Sequence, residues 1–77
     1  MGNKVIIYSG ENCSNCKIVK SFMDSNKIQY EVRDIANEEY KAEMISKGFM
    51  SIPVLVVNGE YHLVNTSNFI GVLKDVL

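Results

Sequence analysis

Cys13-Ser14-Asn15-Cys16 is the segment of this chain whose residue types and spacing can do chemistry. Residues so spaced share one face of a helix, so the two sulfurs can meet. A strand-like run precedes the pair and helical spacing follows it, which puts the pair at a helix start. There the unpaired N–H groups and the positive end of the dipole favour thiolate over thiol. Cysteines in such settings ionise below their free value of about 8.5, and the thiolate is the species that attacks a disulfide. Cys13, at the loop–helix junction, is expected to be the more exposed and the nucleophile. Cys16, one turn in, is expected to be shielded and to resolve a mixed disulfide by attacking Cys13. Ser14 and Asn15 add hydrogen-bonding groups but no charge.

Two other uses of a CxxC pair compete with exchange. A zinc site wants four ligands, whereas this chain has only 2 cysteines and 1 histidine, His62. Zinc, or a metal cluster, would therefore have to bridge two chains. A purely structural disulfide would close a tiny loop and restrain little of the unfolded chain. Redox chemistry is the favoured reading, with a zinc- or cluster-binding module as the alternative of another class and an adaptor without turnover as a third.

The elements that must position the pair follow from periodicity. Lys4 to Tyr8 is a β-branched, continuous apolar run, which reads as a strand buried on both faces. Ser9 to Asn12 has loop composition. From Ser14 to about Asn26, Ile18, Val19, Phe22 and Met23 fall at helical spacing opposite Lys17, Lys20 and Asp24. Ile28 to Asp34 alternates, with Ile28, Tyr30 and Val32 on one face. Asn37 can cap a second helix, with Glu38 and Glu39 suiting the dipole in its first turn. Tyr40, Met44 and Ile45 are its expected buried stripe, and Gly48 stands where a C-cap glycine belongs. Pro53 to Val57 is a third strand. Asn58-Gly59 is a strong hairpin signal, and Glu60 to Val64 returns as a fourth strand. A capping region from Asn65 to Asn68 leads into a final amphipathic helix on Phe69, Ile70, Leu73 and Val76 or Leu77.

The order β-α-β-α-β-β-α implies an α/β fold: a parallel β-α-β start, an antiparallel hairpin, and a mixed sheet covered by helices on both faces. With 77 residues the chain is one domain, 1–77, without room for a second. A net charge of −1 and the absence of a basic stripe argue against nucleic acid, and no apolar run approaches the roughly 20 residues of a membrane span. Met1-Gly2-Asn3-Lys4 leads directly into the first strand and lacks an export signal. The expectation is a monomer in a reducing cytosol, where paired cysteines are catalytic or metal-binding rather than structural.

The strand–CxxC–helix opening, the element order and Ser51-Ile52-Pro53 at the start of the third strand together resemble glutaredoxins. Gly48-Phe49-Met50-Ser51-Ile52-Pro53, an apolar strand and then Asn58-Gly59-Glu60 are similar to the NrdH-type redoxins, glutaredoxin-like proteins that feed electrons to ribonucleotide reductase. The resemblance covers essentially the whole chain. It implies a thioredoxin/glutaredoxin fold of four strands and three helices, and thiol–disulfide oxidoreductase activity without a bound cofactor. It also implies a cis bond at Ile52–Pro53, facing the CxxC, so that the Ile52 backbone can pair with an incoming peptide or glutathione. The implied partners are a disulfide-containing protein and, as reductant, either glutathione or a thioredoxin reductase.

The chain also departs from that pattern. Gly10 stands where glutaredoxins often carry a lysine. Val64-Asn65-Thr66-Ser67-Asn68 replaces their Gly-Gly and acidic residues, and the aromatic-Ser-Gly-Phe run of NrdH-type redoxins is missing. Asn65 tolerates left-handed backbone, and Thr66 or Ser67 can present a helix N-terminus to a carboxylate. Among the remaining candidates, Lys17 either holds a thiolate or carboxylate or belongs to a solvated face, the latter being favoured. Tyr8 either lines the substrate groove or packs in the core. His62 reads as a surface residue, and Met44 and Met50 as core filler and loop contact. Glu11, if close to Cys13, opposes thiolate formation.

Overall fold

The structure is a computed structural model that describes residues 4–77; Met1 to Asn3 of the N-terminal reading lie outside the described residues. Strands β1 (Val5–Ser9), β2 (Glu31–Asp34), β3 (Val54–Val57) and β4 (Glu60–Leu63) form a 4-stranded sheet in the order β2-β1-β3-β4. β1 pairs with β2 in parallel and with β3 antiparallel, and β3 pairs antiparallel with β4. Helices α1 (Ser14–Ser25), α2 (Glu38–Ser46) and α3 (Phe69–Val72) follow β1, β2 and β4, and a single 3₁₀ turn (Lys74–Val76) follows α3. This is the thioredoxin/glutaredoxin fold.

Every residue of β1 and of β3 is buried, as their continuous apolar runs require. Alternation along them divides the core in two. On one face Val5, Ile7, Leu55 and Val57 pack with Val19 and Met23 of α1, Phe69 of α3 and the following Leu73. On the other, Ile6, Tyr8, Val54 and Val56 pack with Met44 of α2. The hairpin reads as expected: Asn58 (φ 51°) and Gly59 (φ 89°) both hold the left-handed backbone that a tight turn matching strand twist needs. Asn37 caps α2, its side chain accepting N–H bonds from Glu39 and Tyr40. Gly48 takes φ 89° past the end of α2, and its N–H bonds to the Ile45 carbonyl.

The helix faces are where the expectations need correction. In α1 the buried positions are Cys16, Val19 and Met23, while Ile18 is 47% exposed. Counting Cys16 as apolar turns the stripe by one position, because it occupies the first core slot of the helix. In α2 only Met44 is buried; Tyr40 is half-buried one turn before it, and Ile45, about 100° further round the helix, is 44% exposed. In α3 and the 3₁₀ turn, Phe69, Val72, Leu73 and Val76 face the core, and Ile70 and Leu77 face out. β2 is shorter than its alternating run, since Ile28 and Tyr30 pack on the core ahead of the strand. Edge position leaves Val32 46% exposed.

Met44→Ala is expected to destabilise the fold by about 2–5 kcal/mol, the usual cost of truncating a buried methionine. Ile45→Ala should stay within about 0.5 kcal/mol. Urea denaturation of the two variants against the parent chain checks both.

Candidate redox site

β1 delivers the chain to one end of the sheet, where Ser9, Gly10, Glu11 and Asn12 turn into α1. Asn12 takes φ 57°, a left-handed conformation that asparagine tolerates better than most residues. It is followed by Cys13 in extended backbone (φ −105°, ψ 98°) as the N-cap of α1. The Cys13 sulfur itself is the capping acceptor: the N–H of Cys16 donates to Cys13 Sγ at 3.1 Å. Cys13 and Cys16 are joined as a disulfide with their Cα atoms 5.2 Å apart. Cys13 is half-buried, and Cys16 is only 1% exposed, inside the α1 core stripe. One sulfur is thus reachable and the other is screened, as the positions in sequence implied. The cap that accepts an N–H bond as a disulfide sulfur is a stronger acceptor as a thiolate, so the same geometry stabilises the ionised, reduced Cys13.

β3 starts at the same end. The Ile52–Pro53 bond is cis, as the resemblance implied, and Val54 lies opposite Tyr8 in the sheet. Ile52 closes against the loop that leads to Cys13: a Cβ built on Gly10 would stand 2.9 Å from Ile52 Cδ1 and 3.4 Å from Ile35 Cγ1. A glycine at position 10 is what allows this approach. Pro53 is fully buried, and its carbonyl accepts the N–H of Val64 at 3.1 Å, which draws the end of β4 to the site. Met50, in the same segment, is 83% exposed. Sequence reasoning read it as a loop contact, and no chain residue covers most of it.

The segment after β4 closes on itself. Asn65 Oδ1 accepts the N–H groups of Ser67 (2.8 Å) and Asn68 (3.1 Å), and Asn68 Oδ1 accepts the N–H of Asn65 at 2.7 Å. The two asparagines bond each other reciprocally within this turn, but Asn68, the N-cap of α3, makes no side-chain cap bond to the helix, which has 4 residues. Thr66 and Ser67 are exposed. Lys17 is exposed on α1, and its backbone N–H bonds to the Cys13 carbonyl at 3.2 Å.

Tyr8 is fully buried and belongs to the α2-side core. Its hydroxyl donates to Glu43 Oε1 at 3.0 Å, accepts from Arg33 Nη1 at 3.1 Å and lies 3.4 Å from the Tyr61 hydroxyl. Arg33 also bonds Glu43 at 2.9 Å and Glu31 at 2.5 Å, and its guanidinium lies over the rings of Tyr8 and Tyr40. Burial, the Tyr61 hydroxyl and the Glu43 carboxylate push the Tyr8 hydroxyl well above the ordinary tyrosine value, outweighing the Arg33 bond. No sequence signal marks this network, because Arg33 and Glu43 sit in patterns that read as solvated. His62 lies 3.7 Å from Glu60 on β4, a strand away from Pro53. Among the described residues, no group of three or more His, Cys, Asp and Glu is placed to hold a metal ion, and no helix is long and apolar enough to cross a membrane.

A helix-capping, half-exposed cysteine, a buried partner one turn on and a cis-proline segment closed against their loop define a dithiol–disulfide oxidoreductase of the thioredoxin superfamily. The glutaredoxin family model matches residues 5–62, and the chain belongs to that family. It is 33% identical over 52 residues to the glutaredoxin-like protein NrdH of Lactococcus lactis, covering 66% of this chain and 72% of that one. It is also 30% identical over 74 residues to prostaglandin E synthase 2 of Danio rerio, covering 96% of this chain but only 19% of that longer protein. The NrdH-redoxin of Escherichia coli superposes with a TM-score of 0.78 at 20% identity, over 91% of this chain and 93% of that one.

Two outcomes test the site. The rate of thiol alkylation against pH should titrate below about 8.5, and this titration should vanish in Cys13→Ser but persist in Cys16→Ser. The Tyr8 shift predicts the second. A hydroxyl held protonated in the fold ionises first in the unfolded chain, so its contribution to stability is complete below about pH 10 and is lost as pH rises above that. Denaturation midpoints should therefore fall with rising alkalinity, and Tyr8→Phe should flatten that fall.

Proposed function

We propose that this protein reduces disulfides in protein substrates and is itself recharged by a dithiol reductase of the thioredoxin reductase type. The Cys13 thiolate attacks one sulfur of the substrate disulfide. The substrate S–S bond breaks, a Cys13–substrate disulfide forms, and the other substrate sulfur leaves as a thiolate that takes up a proton. Cys16, deprotonated, then attacks Cys13 Sγ. The substrate leaves with its second thiol, and the pair is left as the Cys13–Cys16 disulfide. Two electrons have passed to the substrate, and the reductase returns two. All of this runs on the chain's own sulfurs.

The observation that carries the choice of reductant is the reciprocal bonding of Asn65 and Asn68. A helix N-terminus binds a carboxylate through free N–H groups and its dipole. Here the N–H groups of Ser67 and Asn68 already bond to Asn65 Oδ1, and α3 has only 4 residues to contribute a dipole. The Ser67 and Asn68 N–H groups are therefore already occupied and not open to the carboxylate of glutathione. The chain is also similar to a glutaredoxin-like protein NrdH, and on the resemblance to NrdH-type redoxins a ribonucleotide reductase is our candidate client. The second reading, a glutathione-dependent glutaredoxin in which Lys17, Thr66 and Ser67 hold the tripeptide, rests on the exposure of those side chains. In either reading the protein works as a monomer in a reducing compartment such as the cytosol, with no resident cofactor.

NADPH consumption during disulfide reduction, followed with two donor systems in parallel, separates the readings. Activity with thioredoxin reductase and none with glutathione plus glutathione reductase is expected. The reverse pattern would establish the glutathione-dependent reading and assign the Asn65–Ser67 segment to glutathione.

A further inference from the structure

The segment from Gly48 to Pro53 joins α2 to β3 and carries the cis-proline side of the redox site. Phe49 and Ile52 pack on the α2-side core, and Pro53 is fully buried. At its start, the N–H of Phe49 bonds to the Met44 carbonyl at 3.2 Å, which only continues the end of α2. Met50 and Ser51 are exposed. Ile52 then closes on Gly10, and β3 begins after Pro53. Between helix and strand, the one ring contact from this segment to the sheet is Phe49 on Tyr61 of β4, stacked with centroids 6.1 Å apart and 17° between planes.

Tyr61 is itself fixed from two further sides. Its ring stacks on Tyr8 at 6.0 Å, and the two hydroxyls lie 3.4 Å apart. Lys47, at the C-cap of α2, places its ammonium 5.5 Å from the centre of the Tyr61 ring. Tyr8 is in turn locked by Arg33 and Glu43. A continuous stack therefore runs from β2 across the sheet through Tyr8 and Tyr61, and it ends at Phe49. Stacked rings are worth more than the area they bury and impose an orientation. The last ring of this stack lies three residues from the cis bond.

We propose that Tyr61 is a positioning residue of the redox site: its ring seats Phe49 and so sets the Ile52–Pro53 segment against the loop that carries Cys13. Tyr61 touches neither sulfur. It acts on how well the site receives a disulfide-bearing chain and leaves the reactivity of Cys13 alone, since that is set by the α1 cap. This inference rests on the disulfide-exchange reading above.

The test uses pre-reduced full-length protein and insulin as the disulfide probe. Single-turnover oxidation is followed by quenching and mass-shift alkylation at increasing insulin concentration. For Tyr61→Leu the half-saturating concentration should rise about fivefold, the factor an aromatic pair converts to. The limiting rate and the rate of Cys13 alkylation by iodoacetamide should stay within about twofold, the margin left for changes that do not involve the cap. Tyr61→Phe, which keeps the ring, should restore the parent value. Phe49→Leu removes the partner ring from the other side and should repeat the Tyr61→Leu result, which keeps the test open if Tyr61→Leu fails to fold. Unchanged saturation in the folded leucine variants overturns the proposal. So does a parallel change in saturation and Cys13 alkylation, which would mark general loss of structure, and so does Tyr61→Phe behaving like Tyr61→Leu. A parent protein that insulin never oxidises would instead overturn the exchange reading itself.

Discussion

Burial of β1 and β3 on both faces is the constraint from which the rest of the structure follows. Val5 to Tyr8 and Val54 to Val57 are hydrogen-bonded to each other through the whole register, with one set of side chains under α1 and α3 and the other under α2. In a chain of 77 residues this pair supplies most of the doubly covered surface. Its antiparallel register also has a chemical consequence. The end of β1, which feeds the Cys13 loop, and the start of β3, which follows Pro53, come to the same end of the sheet. The fold thus assembles the redox site from segments about forty residues apart in sequence simply by burying two apolar runs side by side.

Within that frame, Cys16 serves two requirements at once. It fills the first core slot of α1, so its sulfur is screened from solvent, and its N–H is one of the helix-start donors that must find an acceptor. Cys13 Sγ is that acceptor. The N–H bond that caps the helix onto the disulfide sulfur is the one that would stabilise a Cys13 thiolate after reduction. A serine at Cys13 would still cap the helix and would end the chemistry.

Much of this was legible in the sequence, and the limits have physical reasons. Continuous apolar runs, Asn58-Gly59 and Asn37 each carry a local signal for what they do, and the strands, the hairpin and the α2 cap stand where those signals put them. The exposed and buried roles of Cys13 and Cys16 follow from helix position alone. The buried stripes of the helices were less legible, since Ile18, Ile45 and Ile70 each sit one position off the face that the sheet covers, and apolar character does not say which side of a helix has a partner. The cis bond at Ile52–Pro53 came from likeness to glutaredoxins. The Tyr8–Arg33–Glu43–Tyr61 network was invisible, because charged residues bonded to a buried tyrosine hydroxyl and charged residues in water look alike in a string of letters. The Asn65–Asn68 turn was misread: asparagines at a helix start announce capping, but here they bond each other within the turn and Asn68 makes no side-chain cap bond to α3.

If Cys13 attacks and Cys16 resolves, the attack leaves a covalent adduct that mixed-disulfide trapping can catch. Reduced Cys16→Ser and Cys13→Ser proteins would each be incubated with a disulfide-bearing protein and the covalent adducts identified by non-reducing electrophoresis and peptide mass spectrometry. A stable adduct through Cys13 is expected in the Cys16→Ser protein, and none in the Cys13→Ser protein. Adducts through Cys16, or none in the Cys16→Ser protein, would contradict these roles.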